Sequence, residues 1–193
     1  MPQKYYITLL ILLTVLIHHL PSLAGDPPFL KFLDDEWVNE QLDRLSTEEK
    51  IAQLMMITAY PEQNEVAKDA IIDAVNQYKP GGILVMQGSP VKTVKWINEF
   101  QRFSKIPLLV AIDGEWGLSM RMDSTIRYPY AQALGAVQDS TYIYQMGRDI
   151  GYQMKKMGIH MNFAPVADVN TNPDNPVINF RSFGQNKRNV AEK

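Results

Sequence analysis

Leu108-Leu109-Val110-Ala111-Ile112 is an unbroken apolar run, preceded by helix-patterned sequence and followed by more of it after a long polar stretch. Neighbouring side chains of a strand point in opposite directions, so such a run suits a strand covered on both faces. The alternation recurs along the chain. One helix is expected over residues 34–45, where three acids open the segment at the positive end of the helix dipole and Val38, Leu42 and Leu45 follow at i, i+4, i+7. Ser46 and Glu49 read as a capping box, starting a segment with Ile51, Leu54 and Met55 on one face. A further helix should bury Ile71, Ala74, Val75 and Tyr78 and stop at Lys79-Pro80-Gly81-Gly82 before a strand over 83–86. The next carries Trp96, Phe100 and Phe103 into the 108–112 strand. A longer one carries Ile143, Met146, Ile150, Met154 and Met157, ends at Gly158, and leads to a strand over 159–164. Helices alternating with buried strands imply crossover connections, hence an α/β class with a parallel sheet. An open doubly wound sheet and a closed (β/α)8 barrel both meet that requirement.

Residues 1–24 stand apart from this pattern. They hold one charge, Lys4, an apolar run of eleven over residues 7–17, and Ser22-Leu23-Ala24 with small residues where a signal peptidase reads. This is the anatomy of a secretory signal peptide, and eleven apolar residues fall short of the roughly 20 needed to span a bilayer. Cleavage after Ala24 would leave 169 of the 193 residues, exported to the periplasm or beyond the cell and without stable membrane insertion. Residues 25–45 then form a linker and helix, and 46–193 the body of the domain.

The residue inventory excludes several functions. With no cysteine there is no disulfide scaffold, thiolate metal site, catalytic thiol or lipid attachment by a lipobox. Nineteen basic against 21 acidic residues, with no run of like charge, give no footprint for nucleic acid. No G-x-G-x-x-G, phosphate-loop, H-E-x-x-H or G-x-S-x-G motif is present, so dinucleotide, nucleotide, zinc-hydrolase and serine-hydrolase readings lose their support. No metal or organic cofactor is expected. His160, the one histidine after residue 24, reads as structural.

Two polar segments remain. From Asp113 to Asp139, 27 residues separate a strand from its helix, where βα loops usually take 2 to 6. Long loops at the C-terminal ends of parallel strands are where α/β proteins build their sites. This one begins Asp113-Gly114-Glu115-Trp116-Gly117-Leu118-Ser119-Met120-Arg121, combining carboxylates, an indole and a guanidinium that suit a polyhydroxylated ligand. The competing reading is a solvated acidic turn with Arg121 as ion-pair partner. In the second segment Asp168 follows Ala164-Pro165-Val166-Ala167, and its expected role is to tie down the loop by bonding backbone N–H groups. Arg181, between Phe180 and Phe183, needs an anionic or carbonyl partner.

D-G-E-W-G-L-S-M-R, followed by Tyr128-Pro129, Leu134-Gly135-Ala136, N-F-A-P-V-A-D-V-N and R-S-F-G, resembles the N-terminal domain of glycoside hydrolase family 3 from about Leu45 onward. The D-x-E-x-G-x-x-x-R form is most similar to its β-N-acetylhexosaminidase branch, ahead of the β-glucosidases. The resemblance implies a (β/α)8 TIM barrel of which this chain holds the N-terminal half, and a carbohydrate substrate. It implies that Asp113, Arg121 and Arg181 bind the terminal sugar, with Glu115, Trp116 and Asp168 as pocket or scaffold residues. Trp116 departs from the branch, which more often has a second glycine there. The implied reaction is retaining hydrolysis from the non-reducing end through a covalent glycosyl-enzyme. Its nucleophile and its histidine acid/base would come after R-S-F-G, beyond Lys193, so no catalytic residue is assigned here. An exported, non-catalytic sugar-binding protein is the alternative class.

Overall fold

The computed structural model describes residue 27 and residues 29–193. The expected leader over 1–24 lies outside the described residues. The chain divides into two units, Met1–Arg44 and Leu45–Lys193. In the first, a 3-10 turn, Leu30–Phe32, precedes helix α1, Glu36–Arg44. The Asp35 carboxylate accepts the N–H groups of Trp37 and Val38 at 3.0 and 3.3 Å, so one of the three opening acids is the helix cap.

The second unit opens on α2, Thr47–Ala52. Ser46 Oγ accepts the Glu49 N–H at 3.2 Å and Glu49 Oε2 accepts the Ser46 N–H at 3.0 Å, which completes the capping box. Glu49 is also bonded by the Lys79 ammonium. That bond first, and the Ser46 N–H second, hold its carboxyl below the ordinary 4.5. A depressed carboxyl stabilises the fold above its unfolded pKa and loses that contribution as pH falls through the folded value. Acidification below pH 4.5 should therefore destabilise the parent protein more steeply than Glu49→Gln, as followed by thermal unfolding across pH. Parallel pH profiles would show that the contact has no such role.

Among the described residues four strands form one parallel sheet: β1, Met56–Ala59; β2, Gly82–Val85; β3, Leu109–Ile112; and β4, Met161–Asn162. Their spatial order is β1-β2-β3-β4, each beside its predecessor with no reversal among the four. The first crossovers are α3, Glu65–Tyr78, and α4, Pro90–Phe103. Between β3 and β4 lie a short α5, Ala131–Gly135, and the long α6, Ser140–Lys156, and α7, Lys187–Glu192, follows β4. Val110, Ala111 and Ile112 are all fully buried, so β3 is covered on both faces there, whereas Leu109 is 40% exposed. The core joins Ile83, Val85 and Val110 to Trp96 and Phe100 of α4 and Ile150 and Met154 of α6.

Several boundaries differ from expectation, each for a physical reason. β1 was not anticipated: its four residues include Thr58 and continue an apolar pattern that reads as part of the preceding helix. β4 is far shorter than 159–164. His160 N–H and Phe163 N–H extend its ladder to Val110 and Ile112, but Pro165 has no N–H to continue it. Helix α3 stops because Lys79 enters the left-handed region at φ 52°. The glycines after it serve close packing, since a Cβ on Gly81 would lie 1.9 Å from the Gln53 carbonyl oxygen. Leu54 is 87% exposed, and Ile51, Met55, Tyr78 and Phe103 are exposed as well. Periodicity marks an apolar face, and only a packed partner buries it.

Candidate functional site

The site lies where β3 and β4 end. The long loop after β3 contains the 3-10 turn Leu118–Met120 and α5. It is pinned to the segment after β2, since Gly88 N–H donates to the Arg121 carbonyl at 3.0 Å and Asp123 N–H to the Gly88 carbonyl at 3.3 Å. Gly117 has φ +83°, and a Cβ there would lie 2.9 Å from the Tyr128 ring, so this turn needs glycine both for its backbone and for its neighbour.

Arg121 folds back on the residue that opens the loop. Its Nε donates to the Asp113 carbonyl at 2.9 Å and a terminal nitrogen to Asp113 Oδ2 at 2.6 Å. The two side chains keep 14% and 29% of their exposure, which leaves Asp113 accessible. Arg181 crosses from the other loop. Its Nε donates to both Glu115 oxygens at 2.8 and 3.1 Å, one terminal nitrogen to Oε1 at 2.6 Å, and another to the Val177 carbonyl at 3.2 Å. The expected anionic partner of Arg181 is thus Glu115, whose side chain is only 6% exposed. Bonding to Glu115 above all raises the Arg181 pKa from its ordinary value against the cost of desolvation, and the charges of Asp113 and Asp168 add to the effect. Each guanidinium thus has a carboxylate of its own, Asp113 for Arg121 and Glu115 for Arg181.

Asp168 behaves differently from the expectation. Among the described residues its exposed carboxylate makes no hydrogen bond to a backbone N–H. The loop is held instead through its carbonyl, which accepts the Ser182 hydroxyl at 2.5 Å. Ser182 is fully buried and also accepts the Gly184 N–H at 3.2 Å. Asn162 was not singled out either: its side chain accepts the Gly114 N–H at 2.9 Å and donates to the Gly114 carbonyl at 3.2 Å, joining the end of β4 to the start of the long loop. Small polar residues are too common in loops and at strand ends for sequence to mark Ser182 and Asn162. Trp116 stacks edge-to-face on Tyr130 with centroids 4.8 Å apart, and Tyr130 leans on Phe180 at 4.5 Å. His160 Nδ1 accepts the Val110 N–H at 3.0 Å, a structural use in line with expectation.

Two cavities flank the cluster. One of about 400 Å³, mixed in character, has Glu62, Gln87, Lys92, Arg121 and Asp123 in its lining. A mainly apolar one of about 500 Å³ runs along α6 and reaches Gly114 and Glu115. The first has the donors and acceptors that hydroxyl groups need. Among the described residues no three acidic or histidine side chains are grouped to hold a metal ion, and no helix is long and apolar enough to cross a membrane.

Residues 46–192 match the Glycosyl hydrolase family 3 N terminal domain. The chain is 32% identical over 150 residues to "Beta-hexosaminidase A" of Pseudoalteromonas piscicida, covering 71% of this chain and 24% of that protein. It is 33% identical over 153 residues to "Beta-hexosaminidase LpqI" of Mycobacterium tuberculosis, covering 76% of this chain and 37% of the relative. A solved glycoside hydrolase family 3 beta-N-acetylglucosaminidase from Paenibacillus sp. str. FPU-7 superimposes with a TM-score of 0.66 at 31% identity, over 77% of this chain and 29% of that one. The chain thus spans between about a quarter and two fifths of the length of these relatives.

Proposed function

This chain belongs to the glycosyl hydrolase family 3 N-terminal domain family, and we propose that it is the sugar-binding part of an exo-acting retaining β-N-acetylhexosaminidase. The observation that carries this reading is the accessible Asp113 carboxylate, oriented by Arg121 at the C-terminal end of β3. A fixed carboxylate accepts paired sugar hydroxyls, and the guanidinium beside it donates to hydroxyl or carbonyl oxygens. Likeness to relatives named as hexosaminidases supports the choice of N-acetylglucosamine as terminal sugar.

Neither carboxylate of the D-x-E pair suits a nucleophile. Both oxygens of Glu115 bond Arg181 and its side chain is nearly inaccessible, so it braces the site. Asp113 orients Arg121 through one oxygen and offers the other to substrate. In this reading the attacking carboxylate and the acid/base come from other parts of the whole protein. The strand order, advancing by one neighbour each time, supports residues 46–193 as the first half of a (β/α)8 barrel, because an open doubly wound sheet reverses at a switch point. The apolar run over 7–17 supports export.

The test is hydrolysis of aryl N-acetyl-β-glucosaminide and aryl β-glucoside by the whole protein. Faster release from the first is expected. Turnover of the second alone would make the protein a β-glucosidase, and sugar binding without turnover of either would make it a non-catalytic binder.

A further inference from the structure

Asp113-Gly114 is the one place in the chain where an aspartate or asparagine precedes glycine. Such a pair is chemically labile. The nitrogen of the second residue can attack the side-chain carboxyl carbon of the first, and glycine, lacking a Cβ, hinders that ring closure least. Packing nevertheless demands glycine here, since a Cβ on Gly114 would lie 3.1 Å from the Gly117 carbonyl oxygen and 3.2 Å from Met154 Cε. The nitrogen that would attack is occupied. Parallel pairing sets Asn162 of β4 beside Ile112 of β3. From there its side chain accepts the Gly114 N–H at 2.9 Å and donates to the Gly114 carbonyl at 3.2 Å, so it holds the peptides that join Gly114 to Asp113 and to Glu115. Arg121 grips the same stretch from the other end, taking the Asp113 carbonyl at 2.9 Å and Asp113 Oδ2 at 2.6 Å.

We propose that Asn162 is the positioning residue for Asp113, and that its grip on Gly114 keeps Asp113 from rearranging to isoaspartate. The first part rests on the hydrolase reading and the second does not. In the rearrangement the Gly114 nitrogen bonds to Asp113 Cγ, and its proton leaves with the hydroxyl of the protonated carboxyl as one water. Water then opens the cyclic imide at either carbonyl, which returns aspartate or reroutes the main chain through Cβ as isoaspartate. No other reactant is needed. Ring closure requires the peptide between Asp113 and Gly114 to turn, and Asn162 holds that peptide by its N–H while Arg121 holds it by its carbonyl. An isoaspartate would lengthen the main chain by one carbon and carry its carboxylate away from Arg121.

The experiment ages the whole parent protein beside Asn162→Ala and beside Val75→Ala, a truncation in the buried core that controls for general loss of stability. Isoaspartate at position 113 is read in its peptide by mass spectrometry, and hydrolysis of aryl N-acetyl-β-glucosaminide is followed in parallel. Asn162→Ala should accumulate isoaspartate about tenfold faster than the parent, the factor set by roughly one net hydrogen bond, and Val75→Ala should stay within about twofold. Asn162→Asp, which keeps an acceptor for the Gly114 N–H, should recover most of the protection. Fresh Asn162→Ala should show kcat/KM about tenfold below the parent, and its remaining activity should fall in step with the isoaspartate formed. Equal isoaspartate rates in Asn162→Ala and the parent, or an equally fast rate in Val75→Ala, would overturn the protective role. Fresh kinetics equal to those of the parent would overturn the positioning role. If Asn162→Ala does not fold, amide exchange in the parent decides: a protected Gly114 N–H upholds the grip, and exchange as fast as in an unfolded chain overturns it. A parent without glycosidase activity would remove the hydrolase reading and the positioning role together, while the isoaspartate rates would still decide the protective one.

Discussion

Replacing Arg181 by methionine is expected to destabilise the protein by about 3 to 5 kcal/mol, the largest stability loss anticipated for any single side chain of the site. The cause is the partner left behind. Glu115 is 6% exposed and directs both oxygens at Arg181, so the variant strands a carboxylate with little access to water. An ordinary surface ion pair would contribute about 0 to 1 kcal/mol, and burial decides between the two cases. Pairing Arg181→Met with Glu115→Leu should recover much of the loss, since removing both charges removes the desolvation problem. Denaturant midpoints of the parent, both single variants and the double variant measure this. A loss under about 1 kcal/mol for Arg181→Met would show that water already screens the pair.

Asp113→Ala is expected to leave the fold nearly intact and to lower kcat/KM by about 10²- to 10⁴-fold. Each charged hydrogen bond lost to the substrate costs about 1.5 to 3 kcal/mol, and a carboxylate spanning two hydroxyls makes two of them. The fold should survive because Arg121 keeps its bond to the Asp113 backbone carbonyl at 2.9 Å, which does not depend on the side chain. Asp113→Asn, which keeps an acceptor and loses the charge, should fall between the two. Unchanged kinetics with a lowered melting temperature would reduce the pair to a brace for the loop, the acidic-turn reading of this segment.

Much of this is legible in the sequence. The capping box at Ser46, the burial of β3 and the stop of α6 at Gly158 follow from local chemistry: a hydroxyl within reach of a free N–H, apolar runs with no polar face, and a glycine in the left-handed region. The need of Arg181 for an anion was equally visible, because a guanidinium among aromatic rings has to satisfy its donors. The identity of that anion was not. Glu115 is 66 positions away, and nothing in either segment announces the other. β1 escaped for a related reason: four residues without alternation become a strand only beside Gly82–Val85. The Asp168 carboxylate was expected to hold its loop, but Ser182 does so through the Asp168 carbonyl.

The sequence by itself determined the α/β class, the two loops that carry polar chemistry, and the residue types available at each, since these depend on periodicity, turn formers and composition within short windows. Only the tertiary structure decided which carboxylate serves which arginine, leaving Asp113 open and Glu115 enclosed, and which aromatic rings meet across the loops. Pairing over tens of residues is set by how strands register in the sheet and where their loops emerge. No local pattern encodes that, and it is what separates a carboxylate able to bind a sugar from one that holds the site together.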